Sequence, residues 1–365
     1  MTIEQLKLIN AINILAVGKI DALQNIHDHF NGDWALAWNS DLSRFLPKER
    51  DVEGKLAKID YRKLKKSIDP DQGLTKLIKQ KIDLISILDD SYPELLRHIP
   101  HPPFLLYVRG SHDVWRNNCF AVVGTRALSE YGKRATPKIS TDLARAGFTI
   151  VSGLAAGIDT LAHKSALDAG TKTIAVLGCG IDDKTIFPVQ NLGLAREIIE
   201  NGGALLSEYP IGANGTKFSF PQRNRIISGL SRGVLVVEAD EISGAMITAK
   251  CAIDQNRDVF AVPGNIFAKT SEGANILIKR GAKAVFSADD ILEDYEMYLK
   301  KEKKEIKADN EFEAQILAVL SGEPMTPDEI IRKTGLSPAQ NNATLMMMEL
   351  NRKVKNLNGR FVLDK

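Results

Sequence analysis

Phe120-Ala121-Val122-Val123-Gly124-Thr125-Arg126-Ala127-Leu128-Ser129 is a short apolar run that ends in a glycine turn and a helix-capping serine, and this order decides how the chain folds. Apolar residues in sequence, without polar alternation, read as a strand buried on both faces. The arrangement returns along the chain. Thr149-Ile150-Val151 runs into Ser152-Gly153-Leu154-Ala155-Ala156-Gly157-Ile158-Asp159, and Thr173 to Leu177 runs into Gly178-Cys179-Gly180-Ile181-Asp182. Gly233 to Glu238 leads to Ser243-Gly244, and Val259 to Val262 is a further strand. Helical patterns such as Gly132 to Ala146 and Ser243 to Gln255 lie between them. The alternation predicts an α/β domain, a mostly parallel sheet covered on both faces by helices.

In such a sheet, ligands lie beyond the carboxyl ends of the strands, where loops enter helix N-termini with open amides. Gly124 permits close backbone approach there, and Arg126 carries a planar fork suited to a phosphate. A single glycine turn is weak, because tight strand-to-helix connections need glycine for geometry alone. Four such turns, together with one arginine loop, describe an anion-binding crest along one sheet edge.

A second feature supports a polyanion. Between Glu208 and Glu238 the chain runs twenty-nine residues without a carboxylate, and within them lies Lys217-Phe218-Ser219-Phe220-Pro221-Gln222-Arg223-Asn224-Arg225. Cationic groups hold phosphates, and a ring can stack a base. The alternation Phe218-Ser219-Phe220 equally fits a half-buried strand, and both readings stand at this level.

The 365 residues suffice for two or three domains. Residues 1–80 carry helical spacing through Leu6, Ile9, Ile12 and Leu15 and then Leu23, Ile26 and Phe30, punctuated by Gly18 and Gly32. They suggest a small helical domain, SAM-like or helix-hairpin-helix-like, though the paired-glycine turn of the latter is missing. The basic run Arg62-Lys63-Leu64-Lys65-Lys66 reads as a solvated face. The sheet-bearing domain is expected over 81–297, with early strand-like runs at Ile85 to Leu88 and Phe104 to Val108. A charged linker follows over 298–308. Residues 309–365 read as a winged helix-turn-helix: a helix over Phe312 to Leu320, a second capped by Thr326 and ended by Gly335, and a third opened by Ser337-Pro338. A hairpin, Val354 to Leu357 and Arg360 to Leu363, then turns at Asn358-Gly359. The third helix, Ser337 to Leu350, has Glu349 and no Lys or Arg, which is poor chemistry for a phosphate-lined groove and favours protein contact over specific DNA readout.

Composition excludes several classes. Lys plus Arg number 48 against 46 Asp plus Glu, so a net charge of +2 gives no global attraction for polyanions, and any such site is local. Cys119, Cys179 and Cys251 form no CxxC pair, which indicates neither a disulfide framework nor a zinc ribbon. Without a signal-like or membrane-length apolar run, a cytoplasmic protein is expected. No G-x-G-x-x-G with a distant acid, Walker loop, G-x-S-x-G elbow or H-E-x-x-H pair occurs. His163 reads as a structural histidine, and Glu208 and Glu238 stand at strand ends without a nucleophile or metal cluster. The expectation is no catalytic residue, no metal and no cofactor.

Taken together, these motifs resemble the DNA processing protein A family (DprA, also called Smf). The resemblance rests on Ala121 to Arg126 with Ser129 and Tyr131-Gly132, Ser152 to Asp159 with Ala162-His163, Ala175 to Asp182, and Leu206 to Pro210. It continues through Phe220 to Ser231, Ser243 to Thr248 and Val259 to Gly264, in the family's order over roughly 120 to 290. It implies an extended Rossmann-like domain that binds single-stranded DNA, forms a homodimer, and loads the RecA recombinase onto DNA held by single-strand-binding protein, in natural transformation or another recombination route. It implies no enzyme activity. The family's DNA pocket maps onto Gly124, Thr125, Arg126 and Ser129 and onto Lys217, Phe220, Arg223 and Arg225, with Arg126 and Lys217 on phosphates and Phe220 as the stacking ring. Gly153, Asn224 and Gly244 complete the candidate DNA-binding set. One departure is Phe187-Pro188-Val189, where many relatives carry Tyr-Pro-Lys; Lys184 is the nearby substitute.

Two other readings exist. Nucleoside-monophosphate phosphoribohydrolases share the sheet and glycine turns, but their Pro-Gly-Gly-x-Gly-Thr turn is replaced here by Pro263-Gly264-Asn265. A winged-helix transcription regulator would need the neutral third helix to read DNA.

Overall fold

Strands lacking polar alternation need a cover on both faces, and the chain supplies helices to each side of one sheet. The computed structural model describes residues 1–47, 49–50, 56–57, 60–116, 118–295, 308–320, 324–351, 353–357 and 359–363. The chain divides into two compact units, 1–299 and 300–365.

The first unit opens with α1 (Ile3–Ala16), α2 (Ala22–His29) and α3 (Trp34–Asn39), then a two-strand pair, β1 (Glu49–Arg50) against β2 (Leu56–Ala57), then α4 (Tyr61–Lys66) and α5 (Pro70–Lys79). Thr2 and Gln5 form a capping box at the start of α1. The predicted spacing is the buried face: Ile9, Ile12, Leu15, Leu23 and Ile26 lie inside, with Leu6 and Phe30 half-buried. These helices share one core with Leu105, Tyr107, Leu177 and Leu205 of the sheet. Asn13 donates to the Glu208 carbonyl at 3.1 Å, and the Tyr107 hydroxyl donates to Asn10 Oδ1 at 2.7 Å. Segments 1–80 and 81–297 therefore lie within one unit.

The sheet has nine strands: β3 (Asp83–Ser86), β4 (Leu105–Gly110), β5 (Cys119–Val123), β6 (Thr149–Ser152), β7 (Thr173–Leu177), β8 (Ala204–Ser207), β9 (Gly233–Val236), β10 (Asp258–Ala261) and β11 (Lys283–Ala284). Their order is β11-β10-β9-β5-β6-β7-β8-β4-β3, parallel from β11 to β8 and antiparallel at β4 and β3. The first strand sits two residues earlier than the run at Ile85 to Leu88 suggests, because Asp89 Oδ2 accepts from the Ser86 N–H and turns the chain there.

The short α6 (Glu94–Arg97) precedes β4, and the crossovers are α7 (Glu130–Arg145), α8 (Ile158–Asp168), α9 (Leu192–Glu200), α10 (Ser219–Leu230), α11 (Gly244–Asp254) and α12 (Lys269–Lys279); α13 (Asp289–Leu292) follows β11. Alternate residues of β5 serve opposite faces, as the period-two pleat requires. Phe120 and Val122 pack with Leu143, Ile158 and Ala162, whereas Ala121 and Val123 pack with Ile226, Ile227 and Ala249. From β5 the chain winds outward through β6, β7 and β8, then returns to β9 on the other flank of β5. The loops leaving β5 and β9 therefore diverge, and a crevice opens between them.

The Lys217–Arg225 segment is not a strand. Thr216 and Ser219 exchange hydrogen bonds, Thr216 N to Ser219 Oγ at 2.8 Å and Ser219 N to Thr216 Oγ1 at 3.0 Å, and this starts α10. Pro221 falls in the first turn, where its missing N–H costs nothing. Helical spacing through Ile226, Ile227 and Leu230 buries the inner face and overrides the local ring alternation.

The second unit is α14 (Glu311–Leu320), α15 (Pro327–Thr334), α16 (Pro338–Leu350), β12 (Val354–Leu357) and β13 (Arg360–Leu363), a winged helix as its caps predicted. Thr326 and Ser337 each head a capping box, and Gly335 ends α15 at φ +73. Ile316, Ile330, Leu345, Met348, Val354 and Phe361 form its core. Asn358 lies outside the described residues, as does the expected linker 298–308 except for Ala308.

Candidate nucleic-acid interface

The crevice between the β5 and β9 loops is a cleft of about 310 Å³. One wall is Gly124-Thr125-Arg126, a second is Phe220, Arg223 and Asn224 of α10, and a third runs from Asp240 to Ala245 into α11. Close backbone packing sets the first wall. A Cβ on Gly124 would lie 2.5 Å from Ile158 Cγ1 and 2.8 Å from the Glu238 carbonyl, so only glycine lets the loop settle there. The Thr125 N–H donates to that carbonyl at 2.7 Å, and the Ile158 N–H donates to the Thr125 carbonyl at 3.2 Å. Arg126 is left exposed, its guanidinium carbon 5.9 Å from the Phe220 ring centre.

Phe220 is held rather than loose. A Cβ on Gly178 would meet its ring at 2.8 Å and one on Gly215 at 2.4 Å, so the ring is nested between two glycines. Phe187 stands 5.6 Å from it at 43°. Arg126, Gly153, Phe187, Phe220 and Arg223 line a second hollow of about 150 Å³ beside the cleft. Phe218, 72% exposed, projects away with the Lys217 ammonium 5.1 Å from its ring.

The structure does not bring all the predicted DNA-binding residues together, and Gly153 lines only the second hollow. Gly124, Thr125, Arg126, Phe220, Arg223, Asn224 and Gly244 meet in the cleft. Ser129 stands apart: it caps α7 and donates through Oγ to Glu238, whose carboxylate is 1% exposed and also accepts from Thr270 Oγ1. Arg225 faces elsewhere. It grips Glu208 with two hydrogen bonds of 2.8 and 2.7 Å and donates from Nε to the His101 carbonyl at 3.0 Å. Lys217 is exposed on the loop ahead of α10, outside both hollows.

Arg223 is inside the cleft, with Nε and Nη1 already spent on the protein's own oxygens. Only 4% exposed, it donates from Nη1 to the Gly153 carbonyl at 2.8 Å and to the Val176 carbonyl, and from Nε to Asn224 Oδ1 at 3.3 Å. Asp159 lies beside it and accepts from the Gly153 N–H at 3.1 Å. Burial pushes the Asp159 carboxyl upward, opposed by the neighbouring Arg223 charge, while burial pulls Arg223 downward. Asn224 donates to the Gly244 carbonyl at 3.0 Å and so ties α10 to the mouth of α11.

The four-turn crest therefore shrinks. The Gly153 turn is covered by Arg223 and the Gly178 turn by Phe220, whereas Gly124 and the Ser243-Gly244 start of α11 border the open cleft. Phe187 carries a local signal only within the Phe187-Pro188-Val189 departure, in which the missing lysine falls at Val189, and the loop holding Asp240 and Ile242 matches no local pattern. Among the described residues, no three His, Cys, Asp or Glu side chains are placed to hold a metal ion, and no helix is long and apolar enough to cross a membrane.

Residues 83–296 match the family model for DNA recombination-mediator protein A, and 300–360 match the DprA winged helix domain. The chain is 46% identical to DNA processing protein DprA of Streptococcus pneumoniae over 217 residues, covering 60% of this chain and 76% of that one. It is 46% identical to Protein Smf of Escherichia coli over 216 residues, covering 59% of this chain and 57% of that one. Its fold is similar to the X-ray structure of DNA processing protein A from Streptococcus pneumoniae, with TM-score 0.64, 36% identity, and coverage of 80% of this chain and 99% of that one. It is also similar to DNA processing protein A from Helicobacter pylori, described for its single-stranded DNA binding mode, with TM-score 0.53, 30% identity, and coverage of 59% and 95%.

Proposed function

The chain belongs to the DNA recombination-mediator protein A family, and from that premise we propose that it binds single-stranded DNA along the cleft between the β5 and β9 loops and delivers that strand to a recombinase. The observation that carries this reading is the exposed Arg126 guanidinium beside the Phe220 ring, at the sheet's switch point and next to the open N-terminus of α11. A guanidinium and helix amides take phosphates, while the rings of Phe220 and Phe187 offer faces to bases. Backbone contact of this kind binds strands with little dependence on sequence. The Helicobacter pylori relative, described for single-stranded DNA binding, supports the same class of ligand here.

The proposed action is binding rather than catalysis. The carboxylates of Asp159, Glu208 and Glu238 are engaged by backbone amides, Arg225 and Ser129 respectively, which leaves them holding loops instead of moving protons. We assign RecA, single-strand-binding protein on the same DNA, and a second copy of this chain as partners in the cytosol. An alternative role for the winged helix as the DNA reader is disfavoured by α16, whose exposed side chains include Met346, Met347 and Leu350.

Lys217 extends the phosphate track from the loop ahead of α10. Arg126→Ala and Lys217→Ala are each expected to weaken binding of a labelled single strand and to lower the log-log salt slope by about 1. Fluorescence anisotropy across a salt series measures both; unchanged slope and affinity in both variants would place the DNA elsewhere. Deleting residues 309–365 is expected to leave single-strand affinity within about threefold of the full chain, since the whole cleft lies in the first unit. A regulator reading DNA through its winged helix would instead lose binding.

A further inference from the structure

Two carboxylates line the cleft, Asp159 and Asp240, and one of them has an oxygen without a partner. The Asp240 Oδ1 atom is buried without a hydrogen-bond partner. The other carboxylates around the crevice are matched: Asp159 accepts from the Gly153 and Ala155 amides, Glu238 from Ser129 and Thr270, and Glu208 from Arg225. A buried acceptor left unmatched is costly, and a negative charge beside a DNA backbone is repulsive. Both costs are relieved when a ligand in the cleft brings N–H donors and the Asp240 carboxylate turns about its Cβ–Cγ bond to present Oδ1 to them.

A nucleotide carries that pattern. It has an anionic phosphate, a flat and largely apolar ring, and an edge of donors and acceptors. The cleft has the complementary set: Arg126, the apolar side chains of Val123, Ile227 and Ala245, and Asp240, with the 95% exposed Ile242 at the rim. We infer that Asp240 reads the edge of the base seated in the cleft and favours bases bearing an exocyclic amine over thymine. This rests on the single-strand reading above and adds a composition preference to a site otherwise held by its backbone contacts.

The chemistry ranks the bases. Guanine presents N1–H and N2–H side by side, which matches the two oxygens of a carboxylate. Cytosine and adenine each present one amine. Thymine presents a single N3–H flanked by two carbonyl oxygens, and both repel a carboxylate. The substitution Asp240→Asn keeps the shape, removes the charge and adds an amide donor for those carbonyls.

The test is competition among twelve-nucleotide strands at fixed salt: oligo(dC), oligo(dT), and oligo(dT) with dG at every third position. The wild-type protein is expected to bind oligo(dC) and the dG-bearing strand about tenfold tighter than oligo(dT). Asp240→Ala is expected to bring these ratios to about 1 while oligo(dT) affinity holds or rises, because a repulsive charge is gone. Asp240→Asn is expected to bring them to 1 or below, an inversion that mere loosening of the loop does not produce. A wild-type ratio near 1, or ratios unchanged in both variants, overturns the assignment to Asp240. A wild-type protein that binds none of the three strands overturns the single-strand reading itself, and with it this inference.

Discussion

Replacing Arg223 by methionine is expected to lower the stability of the first unit by about 3–5 kcal/mol. Two consequences follow from removing the guanidinium. The carbonyls of Gly153, just after β6, and of Val176, within β7, lose a buried donor. Asp159, at 6% exposure, loses the neighbouring positive charge that opposes the upward push of burial on its carboxyl. Methionine matches the length of the arginine stem and replaces none of this. Urea unfolding followed by circular dichroism measures the loss. A variant that unfolds like wild type but fails to bind single strands would return Arg223 to the role of a phosphate contact and refute its structural assignment.

Acid is expected to destabilise the same unit through one histidine. His163 is fully buried, and its Nδ1 lies 2.8 Å from Thr173 Oγ1. That hydroxyl already donates to the Ile150 carbonyl at 2.7 Å, so it accepts from His163, which assigns the proton to Nδ1 and leaves Nε2 bare. Nε2 is buried with no partner. Burial, aided by the nearby Arg223 charge, holds the imidazole down at about 3. The unfolded chain protonates this group near its ordinary value of about 6.5, whereas the folded chain does not. The neutral histidine's contribution is therefore complete above pH 6.5 and erodes as pH falls toward 3, at about 1.4 kcal/mol per pH unit. His163→Gln retains an amide donor for Thr173 and has nothing to titrate. Wild-type stability is expected to converge on that of His163→Gln between pH 6.5 and 4.5, by roughly 2 kcal/mol. Parallel pH profiles for the two proteins would refute it.

Much of the architecture was legible because it is written in near neighbours. Unalternating apolar runs, glycine turns and helix caps such as Ser129, Thr326 and Ser337 depend on residues a few positions apart, and the sheet and winged helix follow from them. The failures occurred where contacts are remote in sequence. The Phe218–Phe220 alternation left a strand open locally, but the inner face of α10 is buried against β5, β6 and β7 through Ile226, Ile227 and Leu230. Phe187 meets Phe220 from thirty-three positions away, and Asp240 faces the cleft because β9 returns beside β5. Ser129 illustrates the opposite case: its motif was visible, while its engagement with Glu238, 109 residues on, was not.

The two arginines of α10 show where the boundary falls. The order of residues determined that a cationic, ring-bearing segment lies in a long acid-free interval, and that glycine loops stand ahead of it. Only the tertiary structure decided what each arginine does. Two positions along a helix are about 200° apart, so Arg223 and Arg225 point to nearly opposite sides of α10. One enters the space beneath the Gly153 loop beside Asp159, and the other reaches Glu208 and His101. A strand would have set both on one face. The choice between these arrangements rests on burial against distant strands, a quantity that no window of sequence contains.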